Sequence, residues 1–200
     1  MLKPLRQITL FIIALSFLSL DFPAGREISW LVEPGSRLII DGKSNVNKFR
    51  CAVEQYPGLD TLRIIYNEHT SDFIALNGAI QVHANSFDCK NDMMTSDLRK
   101  TILADQFPHL RVEFLPTDAR RPDTTKPGKA IIQISLGGVC KEFTLDYHIE
   151  RSANGKAVLK GSRKFLFSDF HLEPPTKLMG MVKVDNEFEV IFDLVLKPLV

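Results

Sequence analysis

The feature that most constrains this chain is the alternation of apolar and polar residues along most of its length. Residues 188–196 read Phe-Glu-Val-Ile-Phe-Asp-Leu-Val-Leu, so that every second side chain is large and apolar. The same period recurs at residues 62–66, 110–114, 132–136 and 143–149. Because successive side chains of a strand point to opposite faces, each of these segments predicts a half-buried β-strand.

Further segments carry the pattern less regularly, at residues 28–32, 37–41, 79–87, 157–167 and 179–184. Turn signals such as Asn-Gly, Gly-Gly and Pro-Gly separate them. Eight or more antiparallel strands in one domain predict an all-β barrel or sandwich. The side chains that we expect to point inward are Phe87, Phe114, Phe143, Phe165, Phe167, Met179, Met181, Phe188 and Phe192.

One stretch breaks the period of two. Within residues 92–105, Met93, Leu98 and Ile102 recur close to helical spacing, and neither Gly nor Pro interrupts the segment before Pro108. The sequence therefore predicts one helix near the middle of the chain.

The first 25 residues have the organisation of an export signal. Lys3 and Arg6 precede an apolar run at residues 8–20, which is too short to cross a hydrocarbon core of about 30 Å. Residues 22–25 contain small side chains without a clean cleavage pattern. We predict a signal peptide or an uncleaved anchor at 1–25, a single β-domain at 26–200 with no spanning segment, and a periplasmic or secreted location.

The charge and motif content excludes several functions. Lys and Arg number 25 against 24 Asp and Glu, so the chain lacks the basic surface of a nucleic-acid-binding protein. It contains no nucleophile-elbow or phosphate-loop motif, and its five His are scattered without metal-ligand spacing. We expect no catalytic residues, no metal and no cofactor. His83, within a predicted strand, is the one side chain we would examine for catalysis.

Three cysteines are present, at Cys51, Cys89 and Cys140. In an oxidising compartment they predict one disulfide and one free thiol, and three reduced buried thiols are the alternative. We favour pairing Cys51 with Cys89, because each ends a short apolar–polar segment whereas Cys140 follows the Gly137-Gly138 turn signal.

Patterning alone leaves the function open between two classes. An eight-stranded barrel is about wide enough either to be filled by its own side chains or to hold one small ligand. A filled interior would suit a non-enzymatic interaction or structural module of the envelope. A hollow interior would suit a carrier of an apolar ligand.

Five segments in order resemble the YceI-like family. Residues 138–146 resemble its G-V-T-K-x-[VF]-T-L signature, with Cys140 in place of the usual Thr. Residues 107–114 resemble its F-P-x-[IL]-x-[VF]-x-F element, and residues 167–172 its S-D-F-x-L stretch. Residues 36–49 are similar to its opening strand and turn, and residues 86–98 to its strand and helix.

This resemblance implies an antiparallel, extended lipocalin-like barrel of about eight strands with a helix over one end. It also implies an exported, non-enzymatic protein that holds a polyisoprenoid or another long-chain amphiphile inside the barrel. Exposed strand edges would permit a homodimer. The positions that the resemblance places along the ligand tunnel or its mouth are Phe87, Phe107, Phe114, Phe143, Leu145, Phe167 and Phe170.

Overall fold

The computed structural model describes residues 26–53, 56, 58–66, 73–116, 119–120, 126–151 and 155–199. The predicted signal peptide at 1–25 lies outside the described residues. The elements are β1 (Arg26–Val32), β2 (Arg37–Ser44), β3 (Lys48–Val53), β4 (Thr61–Tyr66), β5 (Phe73–His83), α1 (Asp92–Thr101), β6 (His109–Leu115), β7 (Ala119–Arg120), β8 (Gly128–Leu136), β9 (Val139–Arg151), β10 (Ala157–Leu166), β11 (Thr176–Lys177) and β12 (Val182–Pro198).

The strands form a closed antiparallel barrel, which confirms the barrel over the sandwich. Eight strands follow one another in the order β1-β4-β5-β6-β8-β9-β10-β12, and β12 pairs again with β1. The closing contact is short, because only Trp30, Leu31 and Val32 of β1 face partners on β12. The β2–β3 hairpin occupies the remainder of the same β12 edge.

Burial follows the alternation that the sequence predicted. On β9, Phe143, Leu145 and Tyr147 are buried, whereas Thr144 and Asp146 between them are exposed. The hydrophobic effect thus fixes which face of each strand points inward, since a shift of one residue would expose the entire apolar set.

Two of the residues expected to point inward do not. Met179 and Met181 are exposed, with relative accessibilities of 107% and 69%. Because β11 pairs with the start of β12, residues 178–181 form the turn between them, and a 3-10 turn at Leu178–Gly180 replaces the predicted strand. The prediction was wrong because Met179 and Met181 lie in a hairpin turn, where successive side chains do not alternate between the two faces of a sheet.

Two predicted boundaries also shift. Strand β10 ends at Leu166, and Phe167–Phe170 form a 3-10 turn that keeps Phe167 and Phe170 buried. Strand β5 ends at His83, before the predicted limit at Phe87.

Helix α1 covers one end of the barrel, here called the helix end. It begins where the side chain of Asn91 accepts a hydrogen bond of 3.0 Å from the backbone N–H of Met94, and it buries Leu98 toward the barrel. Cys51 and Cys89 form a disulfide, the pair chosen from the sequence, while Cys140 is free and exposed. No helix in the described parts of the chain is long and apolar enough to cross a membrane.

Candidate ligand-binding site

An apolar cavity of about 110 Å³ lies inside the barrel. Six of the eight ring strands, β5, β6, β8, β9, β10 and β12, contribute to it. The β2–β3 hairpin also contributes, together with Leu98 and Ile102 from α1 and the turn after it. Ser36, Arg37, Tyr56 and Arg163 are the lining residues that carry polar side-chain atoms. The cavity therefore offers a ligand mainly apolar surface, and it can distinguish apolar ligands by shape more than by hydrogen bonds.

The opposite end of the barrel is filled by its own side chains. Tyr147, Leu159 and Leu196 are completely buried there, and Trp30 is 7% exposed, yet none of them lines the cavity. Tyr147 lies against Gly128, where a Cβ atom would come within 2.6 Å of the tyrosine ring. Desolvation of the Tyr147 hydroxyl raises its pKa to about 12. The cavity is thus blind at this end and belongs to the helix-end half of the barrel.

Most of the side chains that the family resemblance pointed to lie at this cavity. The lining residues among them are Phe87, Phe114, Leu145, Phe167 and Phe170. Phe143 is buried beside the cavity in an aromatic cluster, with its ring centroid 4.9 Å from that of Phe165. Phe107 is 40% exposed and lies over Gly138, outside the barrel interior. Contact of any of these residues with a ligand stays a prediction.

The barrel wall has a discontinuity between β9 and β10. Their ladder runs from Ala157 opposite Arg151 to Gly161 opposite Tyr147 and ends there. Beyond that point, residues 139–146 of β9 pair only with β8, and residues 162–166 of β10 pair only with β12. We call this interval the seam. Since its two strand edges have no ladder partner, it is the part of the wall where strands can separate without breaking backbone hydrogen bonds.

Aromatic side chains fill the seam. The rings of Phe143 and Phe165 meet edge to face, and Phe170 packs on both, with ring centroids 5.7 Å and 6.3 Å away. Phe165 also stacks on Phe188 of β12 at 5.9 Å. Such ring pairs favour defined geometries, so the cluster closes the seam by packing where backbone pairing is lacking.

Arg163 is the charged residue at the seam that sequence reasoning missed. It shares the inward face of β10 with Leu159 and Phe165, and it lines the cavity. Its guanidinium donates a hydrogen bond to the backbone carbonyl of Thr144 across the seam. The guanidinium carbon lies 5.2 Å from the ring centroid of Phe143 and 5.5 Å from that of Phe165, within cation–π range.

One buried donor of that side chain is not satisfied. The Nε atom of Arg163 is buried and has no hydrogen-bond partner among the described residues. Its position in the sequence could have identified it. Residue 163 is an even number of positions from Leu159 and Phe165, so in a strand its side chain points to the same inward face.

An ion pair stands on the outer side of the seam. Lys141 of β9 donates to Asp169 of the Phe167–Phe170 turn at 2.6 Å, and the backbone N–H of Leu166 donates to the same carboxylate at 3.0 Å. The hydrogen bond from Lys141 is the main cause that lowers the pKa of Asp169. The ion pair links β9 to the turn after β10 and so bridges the seam.

His83, the side chain singled out from the sequence for catalysis, lies on the outside of the barrel. His83 and His148 are exposed, and His83 packs edge to face against His109 at 5.1 Å. Neither lines the cavity. A proton-transfer role inside the barrel therefore has no support from these residues.

Comparison with known proteins identifies the relatives of this barrel. The sequence profile of the YceI-like domain matches residues 46–196. Among curated protein sequences, none matches the chain. The fold is similar to that of BcnA from Burkholderia cenocepacia, at 13% identity and a TM-score of 0.61, over 80% of this chain and 95% of that one.

Two further structures share the fold. A polyisoprenoid-binding domain from Saccharophagus degradans has 11% identity and a TM-score of 0.58, over 84% of this chain and 97% of that one. The YceI protein of Campylobacter jejuni has 14% identity and a TM-score of 0.52, over 79% of this chain and 85% of that one. The profile match covers well over half of the chain. The chain therefore belongs to the YceI-like family.

Proposed function

We propose that this protein is an exported, non-enzymatic lipid-binding protein that holds the hydrocarbon chain of a polyisoprenoid or another long amphiphile inside its barrel. The observation that carries the proposal is the apolar cavity in the helix-end half, lined by six of the eight ring strands and by the β2–β3 hairpin. A polyisoprenoid-binding domain among the similar structures supports the same ligand class. A periplasmic or secreted location agrees with the leader expected at residues 1–25.

The energetics of such binding come from buried apolar area. Removing one CH₂ group from water gains about 0.8 kcal/mol, so ten carbons gain roughly 8 kcal/mol. That gain corresponds to a dissociation constant of about 1 µM before the costs of ordering the ligand and opening the protein. A chain of this length is sufficient for useful affinity without any specific polar contact.

The volume of the cavity sets a condition on the proposal. At about 110 Å³ it is smaller than the roughly 300 Å³ at which small-molecule pockets begin. A long chain therefore requires side chains of the interior to move apart. The seam is one place where this movement breaks no strand ladder, because ring packing, the Lys141–Asp169 ion pair and the Arg163 hydrogen bond connect its two sides.

The same volume favours a second candidate function. A barrel whose interior is closed around 110 Å³ also suits a non-enzymatic envelope module that acts through its surface and never takes a ligand. The two candidates differ in one measurable property, the uptake of a long-chain lipid.

Extraction of the native protein with organic solvent, followed by mass spectrometry, tests the first candidate directly. We expect a long-chain species at close to one equivalent per protein. A titration of delipidated protein with geranylgeraniol adds a measurement that does not depend on the expression host. An empty extract together with no saturable uptake would favour the surface module instead.

Matched variants connect uptake to the cavity. Val112→Phe adds a ring inside the cavity, whereas Val158→Phe adds the same ring on a half-buried position outside it. We expect Val112→Phe to weaken uptake at least tenfold and Val158→Phe to leave it unchanged. Equal effects of the two variants would place the lipid elsewhere.

A further inference from the structure

Arg163 combines three properties that a purely structural side chain does not need together. It faces the interior of an apolar barrel, it lies at the interval where the wall lacks backbone pairing, and its buried Nε has no partner. A buried donor without an acceptor is unfavourable, and folded proteins rarely retain one without a reason.

The charge of Arg163 is compensated by the protein only in part, because it has no direct ion pair among the described residues, although, after the hydrogen bond from Lys141, it helps to lower the pKa of nearby Asp169. No carboxylate of the described residues lies within ion-pair distance of its guanidinium. Its neighbours Lys141 and Asp169 are paired with each other, so these three side chains together carry one excess positive charge. Two phenylalanine rings compensate this charge only in part.

The position of the guanidinium fits one end of an amphiphile. Arg163, Phe165 and Phe170 line the apolar cavity on its seam side, while Lys141 and Asp169 mark the outer side of the seam. A chain that enters the cavity from the seam leaves its terminal group beside Arg163. The planar fork of a guanidinium matches the paired oxygens of a carboxylate or phosphate.

We propose that Arg163 binds the oxyanion head group, a carboxylate or a phosphate, of a long-chain amphiphile whose tail occupies the barrel. This inference rests on the proposed function, since it requires the tail to be inside. The acceptor satisfies the buried Nε, the negative charge neutralises the guanidinium, and opening of the seam admits the tail. Arg163 then determines which amphiphiles are preferred, while the apolar interior supplies most of the affinity.

The test compares acidic and neutral ligands with equal tails. Isothermal titration calorimetry on delipidated protein would use farnesyl phosphate against farnesol, and palmitate against hexadecanol. We expect each acid to bind about 10- to 100-fold more tightly than its alcohol, the range for hydrogen bonds to a charged group. The phosphate and carboxylate arms distinguish which oxyanion the site prefers.

Two substitutions separate Arg163 from general charge effects. Arg163→Gln should remove the preference for the acid while leaving the affinity for the alcohol within about threefold. Lys164→Gln makes the same charge change on the next residue, which is exposed and paired with Glu187 at 2.8 Å, and should leave the preference intact. Circular dichroism and a thermal melt verify that each variant is folded.

A measurement on the unaltered protein covers the case in which Arg163→Gln does not fold. The acid-to-alcohol ratio should fall by no more than a few fold between 50 and 500 mM salt, because a partly buried ion pair is weakly screened. A ratio that collapses to one in high salt would overturn the proposal, since only exposed lysines would produce it.

The outcomes keep the two proposals apart. If neither acids nor alcohols bind, the proposed function fails and the head-group site fails with it. If both bind equally, or if Arg163→Gln keeps the full preference, the barrel still holds lipid but Arg163 is not its head-group residue.

Discussion

The Cys51–Cys89 disulfide attaches the β2–β3 hairpin to the segment that leads into α1, and its removal tests how the helix end is held. Beside it, Ala52 and Asp88 exchange two backbone hydrogen bonds of 2.9 Å, and both cysteines are buried. The bond closes a loop of 38 positions. Chain-entropy arguments assign a loop of this length about 4 kcal/mol of stability, through restriction of the unfolded chain.

The perturbation is the double variant Cys51→Ala/Cys89→Ala, with Cys140→Ala as the control. Guanidinium unfolding should show a loss of about 4 kcal/mol for the double variant and less than about 0.5 kcal/mol for the control. For a domain of this size, the melting temperature should fall by roughly 8–16 °C.

The reasoning would be refuted by a specific pair of results. If a thiol assay on the oxidised, denatured protein finds three free cysteines, the disulfide does not form and the alternative of buried thiols is correct. If the disulfide forms and its removal costs less than about 1 kcal/mol, the unfolded chain is already compact in this region and loop entropy is the wrong account.

Two further predictions concern buried and paired groups. Tyr147→Phe removes a buried hydroxyl that has no hydrogen-bond partner among the described residues, so urea unfolding should show a gain of about 1 kcal/mol in the free energy of unfolding. The control Tyr56→Phe loses a hydrogen bond to Asp60 and should be destabilising. Because the folded pKa of Tyr147 is raised to about 12, this group should cost the wild type about 2 kcal/mol of stability as pH rises from 10 to 12, and Tyr147→Phe should lose less. Asp169→Asn removes the partner of Lys141 and should cost less than about 1 kcal/mol at pH 7, since Lys141 is 45% exposed. The pKa of Asp169 is lowered in the folded protein, so the stability that its carboxylate contributes is lost as pH falls below about 4. An equal difference in stability between wild type and Asp169→Asn at pH 3 and pH 7 would contradict this prediction.

The fold was predictable because burial imposes a period of two on each long strand. The alternation at Phe143, Leu145 and Tyr147 identified the inward face of β9 without any knowledge of its neighbours. The same rule failed at Met179 and Met181, where a turn separates residues that a continuous strand would have placed on one face. Alternation reports side-chain direction only while the backbone stays extended.

The site was less predictable than the fold. Phe87, Phe114 and Leu145 were named from the family resemblance and line the cavity, but nothing in their pattern distinguishes a lining residue from a filled core. The seam depends on which strands pair and where the ladder ends, which is a property of the assembled barrel. The inward direction of Arg163 follows from the alternation along β10, yet its position at the seam, with no direct ion pair among the described residues, emerges only in three dimensions.

The closing contact of the barrel has a consequence for how the molecule is made. Trp30 lies opposite Pro198, so the first and last strands of the described chain complete the ring together. Pairing residues so distant in sequence is slow, because much chain entropy must be lost before the contact stabilises anything. A polypeptide still being synthesised lacks β12, and it therefore has unsatisfied edges on β1, β2 and β10. The barrel cannot close until β12 is available. A chaperone that shields the edges of β1, β2 and β10 until then would protect the chain from aggregation.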